Sequence, residues 1–263
     1  MLRRLSSSAV RRSLPIIDIS PLLSSHQVST PAEAVKVADA LDAASREFGF
    51  FHATGHGIDR NTIANALNAS RAFFDLSVEA KHAVRADPDA GEGTGWEPSG
   101  AQKLDENRLG DGIDGAETKE TGDIKESYIL GRPATAQLPP GAKPGELAAL
   151  WPRELGSTFQ DLLLQYHEEC WRVSAALMRG WAIALGKPSD FFASEIDDPM
   201  TKLRLLHYPP VEDGRYADAI GLGSHTDWGA CMQSPLYLLC IELGRALEHA
   251  LRPATSLLTG PEI

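Results

Sequence analysis

The sequence predicts an α+β fold, because two different hydrophobic spacings occur along one chain. Apolar residues recurring every three or four positions predict amphipathic helices at residues 30–48, 61–76 and 159–185. Short β-prone stretches predict strands at residues 14–19, 49–54 and 203–208. With 263 residues, of which 43% are hydrophobic, the chain is long enough to bury the core of one large domain or of two small ones.

Proline and a capping motif mark the first strand and the first helix. The strand prediction covers Leu14 to Ile19 and is closed by Pro21. Thr30, Pro31 and Glu33 form a capping-box start with proline at the first helical position. The apolar positions that follow recur at helical spacing: Val37, Ala38, Leu41, Ala44 and Phe48. The segment therefore predicts a helix with one buried face.

A strand, a turn and a second helix come next. Residues 49–54, with the sequence GFFHAT, have a strand-like pattern, and the tripeptide Gly55-His56-Gly57 turns the chain. Residues 61–76 then return to helical spacing and end beside the aromatic pair Phe73 and Phe74.

A long connection over residues 86–123 follows the second helix. It is rich in Gly, Asp and Glu and has little periodicity. Connections of this length are usually functional lids or disordered segments, and we take this one as the candidate lid over a substrate site. Trp96 is its only large aromatic residue. Two interpretations of Trp96 stay open: it pins the loop to the protein, or it fills a local, partly exposed cluster.

The longest helix is predicted over residues 159–185 and ends before Gly186, a residue typical of helix C-termini. Its apolar stripe, which predicts core packing, comprises Leu162, Leu163, Tyr166, Cys170, Val173, Leu177 and Trp181. A β-run at residues 203–208 is closed by Pro209-Pro210, and residues 221–229 are a further candidate strand.

Charge and composition disfavour several classes of partner. The formal net charge of -11 and the pI near 5.2 disfavour binding to nucleic acids and anionic membranes, because like charges repel. The three cysteines, Cys170, Cys231 and Cys240, form no C-x-x-C pair, which fits a reducing compartment. We expect a cytoplasmic protein without nucleic-acid or membrane partners, and the sequence leaves its oligomeric state open.

The N-terminal residues 1–13 are basic. Four arginines stand among serines before the first acidic residue, Asp18. This composition is typical of a mitochondrial or plastid transit peptide, and also of a short basic tail. Both interpretations stay open.

The tripeptide His225-Thr226-Asp227 is the candidate metal site. Residues i and i+2 of a strand point to the same face, so that His225 and Asp227 could reach one metal ion. Such a pair, joined by a distant histidine, makes the facial triad of non-haem Fe(II) oxygenases. The formally similar His167-Glu168-Glu169 lies in the long predicted helix, where positions i and i+2 diverge by about 200°, and it is excluded as a metal site.

Six motifs in a fixed order carry a family resemblance. They are LPIIDISPL (14–22), FGFFHATGHGI (48–58), FFDLSVEAK (73–81), DIKESY (123–128), LRLLHYPP (203–210) and GSHTDWG (223–229). Each motif is degenerate by itself, but together they span about residues 14–230. The ordered set resembles the isopenicillin N synthase-like class of Fe(II)/2-oxoglutarate-dependent dioxygenases.

The resemblance implies a double-stranded β-helix, or jelly roll, with N-terminal helices packed on it. His225 and Asp227 match the first two iron ligands, and Tyr208 matches a tyrosine whose hydroxyl helps to position 2-oxoglutarate. A core tyrosine is the alternative for Tyr208. The resemblance further implies Fe(II) as cofactor, 2-oxoglutarate as cosubstrate and ascorbate as an optional reductant. The substrate is then a small organic molecule that is oxidised while 2-oxoglutarate is decarboxylated.

The same resemblance divides the chain. Residues 14–135 correspond to the N-terminal non-haem dioxygenase region, and residues 145–230 to the start of the Fe(II)/2-oxoglutarate core. The family has a second histidine some fifty-odd residues after the aspartate and then an R-x-S motif. His249 is the only histidine after Asp227 and matches neither that spacing nor a strand pattern, and no R-x-S motif follows. We therefore expect residues 231–263 to diverge and the jelly roll to be incomplete at the C-terminus. An amphipathic helix is predicted there from Leu236, Leu239, Cys240, Leu243, Leu247 and Leu251.

Two function classes stay open at this point. The first is a non-haem iron oxidoreductase, and the second is a catalytically inactive dioxygenase-like fragment or binding module. A metal-dependent hydrolase that uses the same His-Asp pair is less favoured, because it needs a further ligand and a general base for which no motif is present. The sequence does not identify the substrate.

Overall fold

The computed structural model describes residues 13–23, 31–86, 94–101, 124–131, 150–197, 201–209, 231–234 and 239–243. Its helices are α1 (Ser20–Leu23), α2 (Pro31–Glu47), α3 (Arg60–Phe74), α4 (Val78–His82), α5 (Gly156–Ala184) and α6 (Ala193–Asp197). Its strands are β1 (Ile16–Asp18), β2 (Phe50–Thr54), β3 (Gly95–Glu97), β4 (Glu126–Gly131), β5 (Lys202–His207), β6 (Cys231–Ser234) and β7 (Leu239–Leu243). The chain splits into two compact units: Met1–Gly57, Ala176–Phe191 and Asp227–Ile263 form the first, and Ile58–Ala175 and Phe192–Thr226 form the second.

The first unit contains a four-stranded sheet in the order β1-β2-β7-β6. β1 runs parallel to β2, and the β2–β7 and β7–β6 pairs are antiparallel. Alternate residues of the strands, among them Ile17, Phe51 and Ala53, are buried. Helix α2 lies against β1 and β2 and buries its predicted apolar face: Val37, Ala38, Leu41 and Ala44.

Helix α5 packs its last turns into the same unit at a residue without a side chain. A Cβ atom on Gly180 would lie 2.7 Å from Cδ1 of both Leu22 and Leu41, closer than carbon atoms approach in real structures. The guanidinium Nη2 of Arg179 donates to the carbonyl of Leu22 at 3.1 Å. Burial of this guanidinium lowers the pKa of Arg179 from its ordinary value.

The helix ends agree with the sequence-based predictions within a few residues. α2 begins at Pro31, as the capping pattern predicts. α5 ends before Gly186, which has the positive φ of 67° that glycine adopts without strain. Around it the N–H of Lys187 donates to the carbonyl of Ala182 and that of Gly186 to the carbonyl of Ile183, both at 2.9 Å. This pair of hydrogen bonds is a Schellman cap, so the predicted stop is confirmed.

The predicted C-terminal amphipathic helix is wrong for residues 239–243. These residues form β7, in which Ile241 lies opposite Phe51 of β2. The pattern LCIEL is compatible with both structures, since Leu239, Ile241 and Leu243 also alternate with period two. Residues 239–243 form a strand because their pairing with β2 satisfies the backbone N–H and C=O groups along one side of β2. The other residues of the predicted helix lie outside the described ranges.

The second unit contains the antiparallel sheet β3-β4-β5. Helix α3 and the first part of α5 cover one face of this sheet with a core of aromatic and aliphatic side chains, among them Phe73, Phe74, Tyr128, Phe159, Leu163, Tyr166 and Leu205. Strand β3 falls within the stretch predicted as an aperiodic loop, so that prediction is wrong for residues 95–97. Within the described ranges, no helix is long and apolar enough to cross a membrane.

Candidate functional site

Tyr208 is the predicted site residue that the structure describes. It directly follows β5, and 45% of its surface is exposed. Its role toward 2-oxoglutarate stays a prediction. His225 and Asp227 lie outside the described residues, so their placement stays a prediction. The geometry around the Tyr208 end of the β3-β4-β5 sheet is therefore what the structure contributes to the site.

The two faces of this sheet have different surroundings. Cross-strand partners point to the same face, and Tyr128 of β4 lies opposite both Trp96 of β3 and Leu205 of β5. These three residues belong to the helix-covered core. The alternate residues point the other way, and we call their side of the sheet the open face. It carries Glu97, Ser127, Ile129, Arg204 and Leu206, and the same alternation continued by one step adds Tyr208.

A polar cluster occupies the open face. Arg204 Nη2 donates to Glu97 Oε2 at 2.7 Å and to Ser127 Oγ at 3.0 Å. Ser127 Oγ in turn donates to Glu97 Oε2 at 2.7 Å. One carboxylate oxygen therefore holds a guanidinium and a hydroxyl from two neighbouring strands. On this face the side chains of β4 are buried, with Ser127 1% and Ile129 7% exposed, whereas Leu206 of β5, the cross-strand partner of Ser127, is 43% exposed. The open face is therefore accessible along β5.

A second network, centred on Glu126, lies on the helix-covered face. Lys81 Nζ donates to Glu126 Oε1 at 3.2 Å and to Oε2 at 3.0 Å, and Trp96 Nε1 donates to Oε2 at 2.8 Å. His207 Nδ1 lies 2.8 Å from Glu126 Oε1. This carboxylate thus joins α4 and β3 to β5 at the residue immediately before Tyr208. We infer that the network positions the end of β5.

Burial and hydrogen bonding have opposite effects on the pKa of Glu126 in this network. Burial raises the pKa of the carboxyl group, since it penalises the charged form. The hydrogen bonds from His207, Lys81 and Trp96, together with the charge of Lys81, lower it by more, so that the pKa lies below its ordinary value. Glu126 is therefore ionised in the folded protein at neutral pH.

The structure decides between the two interpretations of Trp96, a residue that pins the loop or one that fills a partly exposed cluster. Its ring is 5% exposed and lies within the core of the second unit, and its Nε1 donates to Glu126. Lys81 Nζ lies 5.6 Å from the ring centroid, in the range of a cation–π interaction. Trp96 thus pins this part of the 86–123 segment to the sheet. Residues 87–93 and 102–123 of that segment lie outside the described ranges, and its role as a lid stays a prediction.

Sequence reasoning missed both polar networks. Their members are far apart in the chain, and Lys81 and Glu126 are separated by 45 residues. A signal was present in the motif LRLLHYPP, where Arg204, Leu206 and Tyr208 share one strand face by spacing alone. Within the described ranges no group of three or more His, Cys, Asp and Glu side chains could hold a metal ion. His225 and Asp227 stay the predicted ligands from the sequence.

Comparison with known proteins finds relatives of this chain among the non-haem, 2-oxoglutarate-dependent dioxygenases. The family described as "non-haem dioxygenase in morphine synthesis N-terminal" matches residues 14–154. A homoarginine-6-hydroxylase from Glycine max is 34% identical over 226 residues, covering 82% of this chain and 63% of the relative. The 2-oxoglutarate-dependent dioxygenase tropC from Talaromyces stipitatus is 30% identical, covering 82% of this chain and 64% of the relative. The chain thus spans less than two thirds of these relatives.

Solved structures show the same similarity. A full-length protein from Neurospora crassa, crystallised with alpha-KG and thymine, superimposes with a TM-score of 0.69 and 25% identity, covering 89% of this chain and 74% of the Neurospora protein. A 2OG-Fe(II) oxygenase family protein from Caulobacter crescentus has a TM-score of 0.66 and 22% identity, covering 90% of this chain and 75% of that protein. The second likeness bears on the fold alone.

Proposed function

Because the chain belongs to the Fe(II)/2-oxoglutarate-dependent dioxygenases, we propose that it couples decarboxylation of 2-oxoglutarate to oxidation of a small organic substrate. In the overall reaction a C–H bond, 2-oxoglutarate and O₂ give a C–OH group, succinate and CO₂, so that one oxygen atom enters each organic product. The observation that carries the proposal is the exposed Tyr208, which directly follows β5 and which the alternation of the strand assigns to the open face.

The chemistry of the candidate ligands fits the metal. An imidazole from His225 and a carboxylate from Asp227 are the donor types that non-haem Fe(II) sites use, and they would hold the ion. The bound metal supplies the activation of O₂, and the protein supplies binding and orientation. Tyr208 would orient 2-oxoglutarate through its hydroxyl, and the Glu126 network would hold the strand end from which Tyr208 extends. We further propose that β3-β4-β5 forms part of a jelly roll, which the likeness to the Neurospora crassa protein supports.

The character of the open face supports a small polar substrate. Glu97 and Arg204 offer partly exposed hydrogen-bonding groups there, beside the apolar side chain of Leu206. The relatives point the same way, since the Glycine max relative is named for homoarginine and the Neurospora crassa protein was crystallised with thymine. Both molecules are small and rich in hydrogen-bonding groups.

Replacing His225 with alanine tests the proposal. We expect the wild-type chain, given Fe(II), ascorbate and 2-oxoglutarate, to release succinate, and His225→Ala to release it at least about 100-fold more slowly because the metal loses an imidazole ligand. Succinate and CO₂ are measured together, and binding of Fe(II) is measured separately by anaerobic titration. The matched control is His82→Ala, which removes an exposed imidazole from α4.

Two results would contradict the proposal. Succinate release that is equal in wild type and in His225→Ala would separate turnover from the assigned metal ligand. A wild-type chain that binds 2-oxoglutarate without any turnover would favour the inactive binding module.

Replacing Tyr208 with phenylalanine tests the second part of the site. The change removes one hydroxyl from an exposed side chain, so the melting temperature should stay within the error of wild type. We expect KM for 2-oxoglutarate to rise about 10-fold, the value of one hydrogen bond to a charged group, with a smaller change in kcat. Steady-state kinetics at varied 2-oxoglutarate measure this split. An unchanged KM would remove Tyr208 from the cosubstrate site.

A further inference from the structure

We propose that Arg204 and Glu97 together recognise the organic substrate through a hydrogen-bond acceptor that lies next to an N–H donor. α-Amino acids and cyclic imides both carry this combination, the first as carboxylate and ammonium and the second as carbonyl and ring N–H. The inference rests on the proposed function, because it takes Tyr208 as the marker of the face on which 2-oxoglutarate and substrate bind.

The hydrogen bonds of Arg204 leave donors for a ligand. A guanidinium has five N–H donors, and among the described residues this one donates only through Nη2, to Glu97 and Ser127. Its Nε is buried and has no hydrogen-bond partner there. If Arg204 had only a structural role in the sheet, we would expect its guanidinium to pair with the carboxylate of Glu97 through two nitrogens, because bidentate pairing is the stronger geometry. The arrangement holds Arg204 at Nη2, and Nη1, which makes no hydrogen bond to a described residue, is left as the donor for a ligand.

Glu97 supplies the matching acceptor. Its Oε2 accepts from both Arg204 and Ser127, whereas its Oε1 has no hydrogen-bond partner among the described residues. The side chains of Arg204 and Glu97 are 32% and 24% exposed, so both can be reached from outside the sheet. A donor and an acceptor therefore stand side by side, fixed to each other by a 2.7 Å ion pair.

The distance along β5 separates the Arg204–Glu97 pair from the position proposed for 2-oxoglutarate at Tyr208. Arg204 lies four residues before Tyr208, and four extended residues span about 13 Å. That span is larger than one 2-oxoglutarate molecule, so the cosubstrate held at Tyr208 leaves the Arg204–Glu97 pair to a second ligand. Arg204 and Glu97 both lie on the open face, to which Tyr208 is also assigned. We therefore take the second ligand to be the substrate.

Binding of two probes tests the inference. Homoarginine represents the α-amino acids and thymine the cyclic imides, and each is titrated calorimetrically into the full chain with 2-oxoglutarate present and oxygen excluded. We expect one of the two to bind wild type, and Arg204→Met to weaken it at least about 10-fold, since a hydrogen bond to a charged group is lost. Glu97→Gln should weaken the same probe, and Arg204→Lys should restore binding only in part because lysine lacks the planar fork.

Controls separate recognition from folding and from catalysis. Lys202→Met removes an equal charge two residues earlier on the same strand face and should bind the probe like wild type. The des-amino analogue of homoarginine lacks the α-ammonium donor next to the carboxylate, and the dimethylated analogue of thymine lacks both ring N–H donors. Wild type should bind these analogues as weakly as Glu97→Gln binds the parent probe. Melting temperatures confirm that the variants are folded.

The outcomes are distinct. If wild type binds neither probe, or if Arg204→Met and Glu97→Gln bind as wild type does, the inference is overturned. If the probe binds as expected but the chain releases no succinate with Fe(II) and 2-oxoglutarate, the proposed oxidation fails while the recognition pair stands. If Arg204→Met loses affinity for 2-oxoglutarate itself, the pair belongs to the cosubstrate and the inference also falls.

Discussion

Replacing Glu126 with alanine is expected to lower the free energy of unfolding by about 3–5 kcal/mol, the cost of breaking a buried ion pair on one side. The change leaves the ammonium of Lys81, which is 7% exposed, with the carbonyl of Phe74 as its remaining hydrogen-bond partner of those described. It also removes the acceptor of Trp96 Nε1 and the partner of His207 Nδ1. Urea unfolding followed by tryptophan fluorescence measures the loss.

A double-mutant cycle gives the control for Glu126. Lys81→Met removes the cation and keeps most of the side-chain volume, so the double variant Lys81→Met/Glu126→Ala should lose less stability than the two single variants added together. Strict additivity would show that Lys81 and Glu126 do not interact in the folded protein and would refute the network.

Lowering the pH should destabilise the fold through the same carboxylate, that of Glu126. The pKa of Glu126 is lowered in the folded protein, so its ionised form stabilises the fold fully above the pKa of the unfolded chain. This contribution is lost as the pH falls from about 4.3, the ordinary value for glutamate, through the lowered folded value. Glu126→Gln should therefore lose less stability than wild type over that acidic range.

Replacing Phe73 with alanine is expected to cost about 3–5 kcal/mol, the usual range for removing a buried phenylalanine ring. Phe73 is 0% exposed and lies in the centre of the aromatic core of the second unit. Its ring centroid is 4.2 Å from that of Tyr128, 5.2 Å from that of Phe74 and 6.1 Å from that of Phe159. The cavity would open where α3 meets the β3-β4-β5 sheet.

Leu67→Ala is the matched control for Phe73. Leu67 belongs to the same helix but is 39% exposed, so its truncation should change stability by about 0.5 kcal/mol or less. Equal losses for the two variants would place Phe73 outside the core that holds α3 to the sheet. Thermal and urea unfolding of both variants measure the difference.

Local chemistry explains which elements could be predicted. The apolar spacing of α2 and α5 is a property of neighbouring residues, and so are proline at the first turn of α2 and glycine after the last turn of α5. These signals hold whatever the rest of the chain does. The structure accordingly begins α2 at Pro31 and ends α5 before Gly186.

Pairing between distant segments explains what could not be predicted. Residues 239–243 have apolar residues at spacings that fit both a helix and a strand, and pairing with β2, nearly two hundred positions earlier, selects the strand. Trp96 has no periodic neighbours, and it becomes a core residue because β4 and Glu126 meet it. No window of neighbouring residues contains either partner.

The sequence by itself determined the family, through ordered motifs, and the local helices, through spacing and caps. It also named Tyr208, His225 and Asp227 as candidates, because motif identity requires only order along the chain. Tertiary structure alone decided that Tyr208 is exposed, and that Glu126 and the Arg204–Glu97 pair lie on opposite faces of one sheet. The physical reason is that a sheet joins residues by hydrogen bonds between strands, and no pattern within one strand encodes its neighbour.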